Sequence, residues 1–308
     1  MEFGAHIPVV IGAGERPRLR DFTAYALAAE RLGYRLLGAN DHLASRTGWL
    51  DGPSILTAAA AVTERILLAT TILLPALRHP VVVAKTYGTL DSLTGGRVVV
   101  GVGAGVLPAD FALAGIPLEE RWGRLDESIA VMRALWREPG PVYEGRYYRL
   151  DGVGLQPLPA RPGGPPIWVG SWGSPAGLRR AARLGDGWIT SGFNTTPERF
   201  ARDWDFVQGE LARLGRDSSP FANALSSLFC YVTVDEAEAE RVAREVVGPA
   251  MGRTAEEMLA AGLFGPAERC AARLRAYRAA GLQLALISPA AEPLAQLRRF
   301  AEEVMPLV

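Results

Sequence analysis

The sequence is poor in the residues that staple or metallate small proteins. Among 308 residues there are two cysteines, Cys230 and Cys270, too few and too far apart for a disulfide framework or a zinc knot. Three histidines, His6, His42 and His79, argue against a multi-histidine metal site, and no metal is expected. Neither sign of charge is in excess, since Lys+Arg and Asp+Glu are both 33. That balance provides no basic stripe for nucleic acid and no polybasic segment for an anionic membrane. No apolar run approaches the ~18 residues of a spanning helix, and no charged region precedes an apolar core at the N-terminus as in an export signal. The expectation is a cytoplasmic protein acting on a small molecule. A chain of this length can bury roughly three quarters of its unfolded surface and needs no staples.

What is present centres on the stretch Asp91-Ser92-Leu93-Thr94-Gly95-Gly96-Arg97-Val98-Val99-Val100-Gly101-Val102-Gly103-Ala104-Gly105. Gly95 and Gly96 suit a helix C-cap, because glycine accepts positive φ without a Cβ clash. Val98 to Val102 has no polar alternation, as in a strand buried on both faces of a parallel sheet. Glycines at the carboxyl end of such a strand allow something flat to approach the backbone, as a cofactor shelf would; ordinary strand–loop packing is the alternative. The dinucleotide fingerprint is excluded, since Val106 stands where its third glycine belongs and Leu107-Pro108 comes next.

Taken in order, apolar segments mark eight strands: Phe3 to Ile7, Arg35 to Ala39, Ile66 to Leu74, Val98 to Val102, 167–169, Gly187 to Thr190, Leu228 to Val234 and Gln283 to Ile287. Helical stripes alternate with them, including Phe22-Tyr25-Ala29-Leu32 and Leu125-Ile129-Met132-Leu135. This rhythm predicts an α/β protein, a single (β/α)8 TIM barrel over residues 1–308. Insertions are expected at about 43–52, 106–120, 138–166 and 248–265. The third is long and proline-rich, with a hairpin at Tyr143 to Tyr148, and reads as a lid or an inserted subdomain.

The sequence resembles the luciferase-like monooxygenase family of flavin- and deazaflavin-dependent oxidoreductases. The resemblance rests on Ala29-Glu30-Arg31-Leu32-Gly33-Tyr34, Asn40-Asp41-His42, Leu90 to Arg97, Gly101 to Gly105, Glu120-Arg121 with Leu125-Asp126-Glu127, Pro166 to Gly170 and Gly185 to Trp188. It covers most of the chain to about residue 190 and the C-terminal third more weakly. It implies a barrel that binds coenzyme F420 or FMN at the carboxyl ends of its strands, and the family often forms homodimers. In deazaflavin-dependent members a non-proline cis peptide presses on the ring, and Thr71–Ile72 is the matching bond. The pattern is closer to that F420-dependent branch. Its sugar-phosphate dehydrogenases place a glutamate directly after the Gly-x-Gly, where this chain has Val106, and Asp110 lies four residues further on.

Asp41 and His42 are the catalytic candidates. They stand at the top of the second strand, where barrel enzymes place chemistry, and histidine exchanges protons near neutral pH. The bland alternative has Asp41 capping the following loop and His42 packing beneath it. Cofactor contacts are expected from Thr71, Ile72, Gly103, Ala104 and Gly105. The turn Gly170-Ser171-Trp172-Gly173, before a helix opened near Pro175, suits the cofactor phosphate, unless Ser174 merely caps an ordinary turn. His6 could face the pocket or sit satisfied in the core. Arg97, Arg121, Asp126 and Glu127 are expected in structural ion pairs, Gly185-Asp186-Gly187 is expected to be structural, and Trp49 and Trp122 are candidates for substrate contact. The implied activity is F420-dependent hydride transfer to or from a small organic substrate. The alternatives are an FMN-dependent monooxygenase on the same barrel and a non-catalytic flavin-binding protein.

Overall fold

A computed structural model of the chain describes residues 1–12, 16–44 and 48–308. Residues 45–47 of the insertion expected at 43–52 lie outside the described set. Eight strands form the barrel: β1 (Glu2–His6), β2 (Leu36–Ala39), β3 (Leu67–Leu73), β4 (Val98–Val102), β5 (Ile167–Gly170), β6 (Gly187–Ser191), β7 (Ala222–Val232) and β8 (Leu284–Pro289). Each pairs in parallel with its neighbours, and β8 returns to β1, so the sheet closes. This is the (β/α)8 barrel that the strand–helix rhythm predicts.

The surrounding helices include α1 (Leu19–Arg31), α2 (Gly52–Ala60), α3 (Pro80–Thr94), α4 (Pro108–Ala114), α5 (Arg121–Arg137), α6 (Pro175–Leu184) and α7 (Pro197–Arg213). α3 stops at the expected glycine: Gly95 is left-handed at φ +66 and its N–H reaches back to the helix carbonyls. Two local expectations need correction. β7 starts at Ala222 rather than Leu228, because its first half carries small and polar residues that hide the strand pattern. There Ala224 faces the interior cluster, while Asn223 is buried with its amide bonded to Gly281 O and the Gln283 N–H. The insertion at 106–120 is not irregular throughout, since α4 occupies seven of its residues, with proline in its first turn and Gly115 at its end. A helix so short shows too little periodicity to be read in advance.

Inside the barrel, Leu36, Ala69, Val99, Trp168, Ile189, Ala224, Leu284 and Leu286 pack as one cluster. A larger cluster fills the space between strands and helices. Side chains alternate along each strand, so the next inward positions toward the carboxyl ends are His6, Thr71, Ser191, Ser226 and Ser288, all buried. The interior therefore changes from apolar to polar on approaching the mouth. Two irregularities sit at that level. The pairing of β3 with β4 slips between Thr70 and Leu73, around a cis Thr71–Ile72 peptide. The pairing of β7 with β8 slips between Leu225 and Leu228, where Ser227 is left-handed at φ 54.

The long connection at 138–166 is a strap on the outer wall. Its hairpin pairs Val142–Glu144 with Arg149–Asp151. Glu127 of α5 accepts the N–H groups of Arg146, Tyr147 and Tyr148, Asp91 of α3 accepts that of Arg161, and Trp136 packs on Gly164. The strap is thus tied to α3 and α5 rather than laid over the strand ends. No helix among the described residues is long and apolar enough to cross a membrane.

Candidate active site

The chemistry-bearing side chains gather at the carboxyl ends of β1 to β5. His42 lies just after β2 and its Nδ1 is 2.8 Å from Asp110 Oδ2. Asp110 sits in the first turn of α4 and is fully buried; its Oδ1 also accepts the N–H groups of Leu43 (2.9 Å) and Ala44 (2.7 Å). The His42 ring stands edge-on to Trp49, with centroids 4.7 Å apart, and its side chain remains 23% exposed. No described residue hydrogen-bonds His42 Nε2. Trp49 Nε1 is buried and also without a partner among the described residues.

Asp41 has a different environment from its neighbour. Arg78 grips both of its oxygens, at 3.0 and 2.8 Å, and reaches Asp51 at 2.7 Å. Burial opposes the Arg78 charge, but the hydrogen bonds and charges of Asp41 and Asp51 outweigh it and raise its pKa. Asp51 is the N-cap of α2, bonded to the Ser54 N–H. Asp41 is therefore committed to fastening the β2 loop to α2, and the structure separates the two catalytic candidates into a committed carboxylate and a partly open imidazole.

His6 ends β1 and is buried. Its Nδ1 lies 3.3 Å from Thr71 Oγ1 of β3, and its Nε2 accepts the Ser227 N–H of β7 at 3.4 Å. One ring thus bridges the two irregular strands, on opposite sides of β1, and desolvation pushes its pKa down to about 4. Gly38 makes the bridge possible: a Cβ there would stand 2.7 Å from Thr71 Oγ1.

The glycines of β4 are explained by a neighbour rather than by an open shelf. A Cβ on Gly101 would meet Thr70 O at 2.2 Å, and one on Gly103 would meet Ile72 Cδ1 at 2.0 Å. Gly170 faces the same Ile72 methyl at 3.0 Å. These glycines admit the bulged β3, and partly exposed Ile72 sits on them. Ala104 is buried beside them, and Gly105, at φ +80, abuts Phe111.

The turn after β5 is compact. Ser171 is buried, and its Oγ accepts from the Gly173 N–H at 3.4 Å. Gly173 is left-handed at φ +88, and Trp172 is 52% exposed. Ser174 is the N-cap of α6, bonded to the Gly177 N–H at 3.2 Å. A helix start presents N–H groups that have no partner within the helix. Arg199 of α7 reaches the same place, bonded to Trp172 O at 2.8 Å, and no motif in the chain announces it; it is paired with Asp203 at 3.6 Å, whose carboxylate also stands against Gly173. The N–H groups of the turn and the helix start suit a phosphate, with Asp203 sharing the charge of Arg199, and Ile72 and the His42–Trp49 pair at the strand ends suit a flat ring.

Of the residues expected to be structural, Asp186 bonds Arg133 and the Ile167 N–H, and Asp126 pairs with Arg180 and Arg183. Arg97, Arg121 and Glu127 depart from the expected ion pairing. Arg97 donates to the carbonyls of Thr63 and Ile66, Arg121 to that of Leu118, and Glu127 caps the hairpin. Trp122 lies between the guanidinium groups of Arg121 and Arg180 on the outer helices.

The model of the luciferase-like monooxygenase family matches residues 1–284. The chain belongs to this family. It is 38% identical over 184 residues to an F420-dependent glucose-6-phosphate dehydrogenase of Intrasporangium calvum, covering 56% of this chain and 54% of that one. It is 32% identical over 236 residues to the 4-hydroxyprotoasukamycin monooxygenase of Streptomyces nodosus subsp. asukaensis, covering 73% and 64%. The chain thus spans about half the length of the dehydrogenase it matches. Among solved structures, a monooxygenase from Streptomyces bottropensis aligns with a TM-score of 0.85 at 25% identity over 99% of both chains. An F420-dependent secondary alcohol dehydrogenase, bound to an F420–acetone adduct, aligns with a TM-score of 0.87 over 100% and 98% of the chains; at 22% identity it shows the fold alone.

Proposed function

We propose that the chain is an oxidoreductase that uses coenzyme F420 and moves a hydride to or from a small organic substrate. The observation that carries this reading is His42: a partly open imidazole at a strand end, with one nitrogen held by the protein and the other without a protein partner among the described residues. Bound at the mouth, the deazaflavin supplies the hydride-accepting or hydride-donating carbon. Ile72 would support its ring, and Ser171, the Gly173 turn, the α6 terminus and Arg199, which Asp203 also pairs, would hold its phosphate. As hydride leaves a substrate carbinol, His42 Nε2 takes up the hydroxyl proton, and in the reverse direction returns it. Trp49, edge-on to the imidazole, walls the site beside it, with its Nε1 buried. The rim residues Val106 and Leu107 are exposed and apolar, which favours an uncharged substrate over a sugar phosphate.

The similarity to a monooxygenase over 73% of the chain supports a second reading, reduced FMN with dioxygen on the same barrel. Anaerobic titration with each cofactor separates the two. The expected result is F420 binding in the ~micromolar range or tighter. Comparable FMN binding with none for F420 would overturn it in favour of the monooxygenase. A bound cofactor that no donor reduces would leave a flavin-binding protein.

A homodimer is part of the same proposal. The outer faces of α2 and α3 expose Ser54, Thr57, Val82 and Leu93, with Thr86 and Thr89 partly exposed between them. Lys85, also exposed on this face, is bonded to Gln156 O, and the remaining side chains are uncharged, with Val82 and Leu93 as exposed apolar positions that another pair of helices would cover. Sedimentation of the wild type and of Val82→Lys tests this, with loss of a dimer expected in the variant.

A further inference from the structure

We propose that Asp110 is the positioning residue of the reaction: it fixes the tautomer of His42 and, through the loop N–H groups, the place of the ring. This rests on the reading of His42 as the group that exchanges the substrate proton. The geometry is specific. Asp110 Oδ1 is occupied by two N–H donors, from Leu43 and Ala44, and Oδ2 meets the imidazole at 2.8 Å. A carboxylate offers only acceptors, so the proton of a neutral His42 resides on Nδ1 and the lone pair on Nε2. That is the nitrogen without a protein partner among the described residues. Nε2 would accept the hydroxyl proton as the O–H electrons form the carbonyl and the C–H bond gives up its hydride, which a bound deazaflavin would take. The resulting imidazolium keeps its Nδ1–H on Asp110, beside a negative charge that burial keeps from water.

The same contacts exclude the simpler role, in which Asp110 replaces, from four residues further along, the acid that the sugar-phosphate branch carries after its Gly-x-Gly. Asp110 is fully buried and engaged at both oxygens, so it has no free oxygen for the cofactor. The remaining charges near the ring are accounted for among the described residues, because Asp41 and Asp51 are both held by Arg78.

A residue that only fastened the loop would not control which nitrogen of His42 carries hydrogen, so the tautomer is the decisive readout. With three histidines in the chain, nitrogen NMR of labelled protein, assigned with His6→Gln and His79→Gln, reports it without cofactor. The wild type is expected to show His42 protonated on Nδ1. Asp110→Asn retains an oxygen for the loop N–H groups but offers the ring a donor. It is expected to move the proton to Nε2 and lower turnover by about a hundredfold or more, with cofactor affinity nearly unchanged. A wild-type His42 protonated on Nε2, or an Asp110→Asn protein with unchanged tautomer and turnover, would overturn the proposal. If Asp110→Asn does not fold, the wild-type tautomer alone decides. Absence of hydride transfer by the wild type would remove the oxidoreductase reading and leave the tautomer result standing on its own.

Discussion

His6 and His42 stand at the ends of adjacent strands of one barrel and face the same mouth, yet they have opposite fates. Both ring nitrogens of His6 are taken by the protein, and it bridges β3 and β7 from a buried position. His42 gives one nitrogen to Asp110, and the other has no partner among the described residues. The difference comes from the loop that each strand leads into. β1 runs into Pro8, whereas β2 runs into a loop that Asp110 and Arg78 hold from two sides. In this barrel, the loop after the strand decides how many nitrogens of a strand-end histidine the protein engages.

The largest expected effect is on the support at β2. Arg78→Met removes the partner of Asp41, which is 3% exposed, and leaves an unpaired buried charge. A loss of about 3–5 kcal/mol is expected in denaturant unfolding. A loss below ~1 kcal/mol, the level of a surface pair, would mean that the loop is not held as described.

His6 provides the contrasting test. Its folded pKa of about 4 lies below the usual value of 6.5, so the unfolded chain binds its proton first as pH falls. The contribution is fully present above about pH 6.5 and is lost on acidification toward pH 4. The total is at most on the order of 3 kcal/mol. Stability measured across that window should decline in the wild type and less steeply in His6→Gln; identical curves would show that His6 is not buried neutral. A smaller effect is expected from Gly38→Ala, whose Cβ would press on Thr71 Oγ1 at 2.7 Å and push it from His6. Overpacking of this kind costs ~1–3 kcal/mol, and no loss would show that the bridge tolerates movement.

The barrel was legible because buried strands and amphipathic helices each leave a period in the sequence, and Gly95 and Pro80 mark their own helix ends. The start of β7 was not, because Ala222 and Ala224 are small to fit a crowded interior and Asn223 is polar to meet a loop. At the site, His42 and the Gly170–Gly173 turn could be placed from motif and strand order. Asp110, Arg78 and Arg199 could not, since each acts across tens of residues on a partner that only the closed barrel brings near. The β4 glycines stand at the strand end that the valine run marks, and the neighbouring Thr70 carbonyl and Ile72 side chain occupy the space they leave.

The central claim is that His42 moves a proton while the rest of the mouth holds the cofactor. The direct measurement compares wild type and His42→Ala, brought to equal F420 occupancy and mixed anaerobically with a panel of small secondary alcohols. The rate is read from bleaching of the deazaflavin absorbance. The account predicts bleaching by the wild type with at least one alcohol, and a rate about 10²–10⁴-fold lower in the variant, with cofactor affinity and melting temperature nearly unchanged. Equal rates accompanied by a fall in melting temperature would contradict it and assign His42, like His6, to packing.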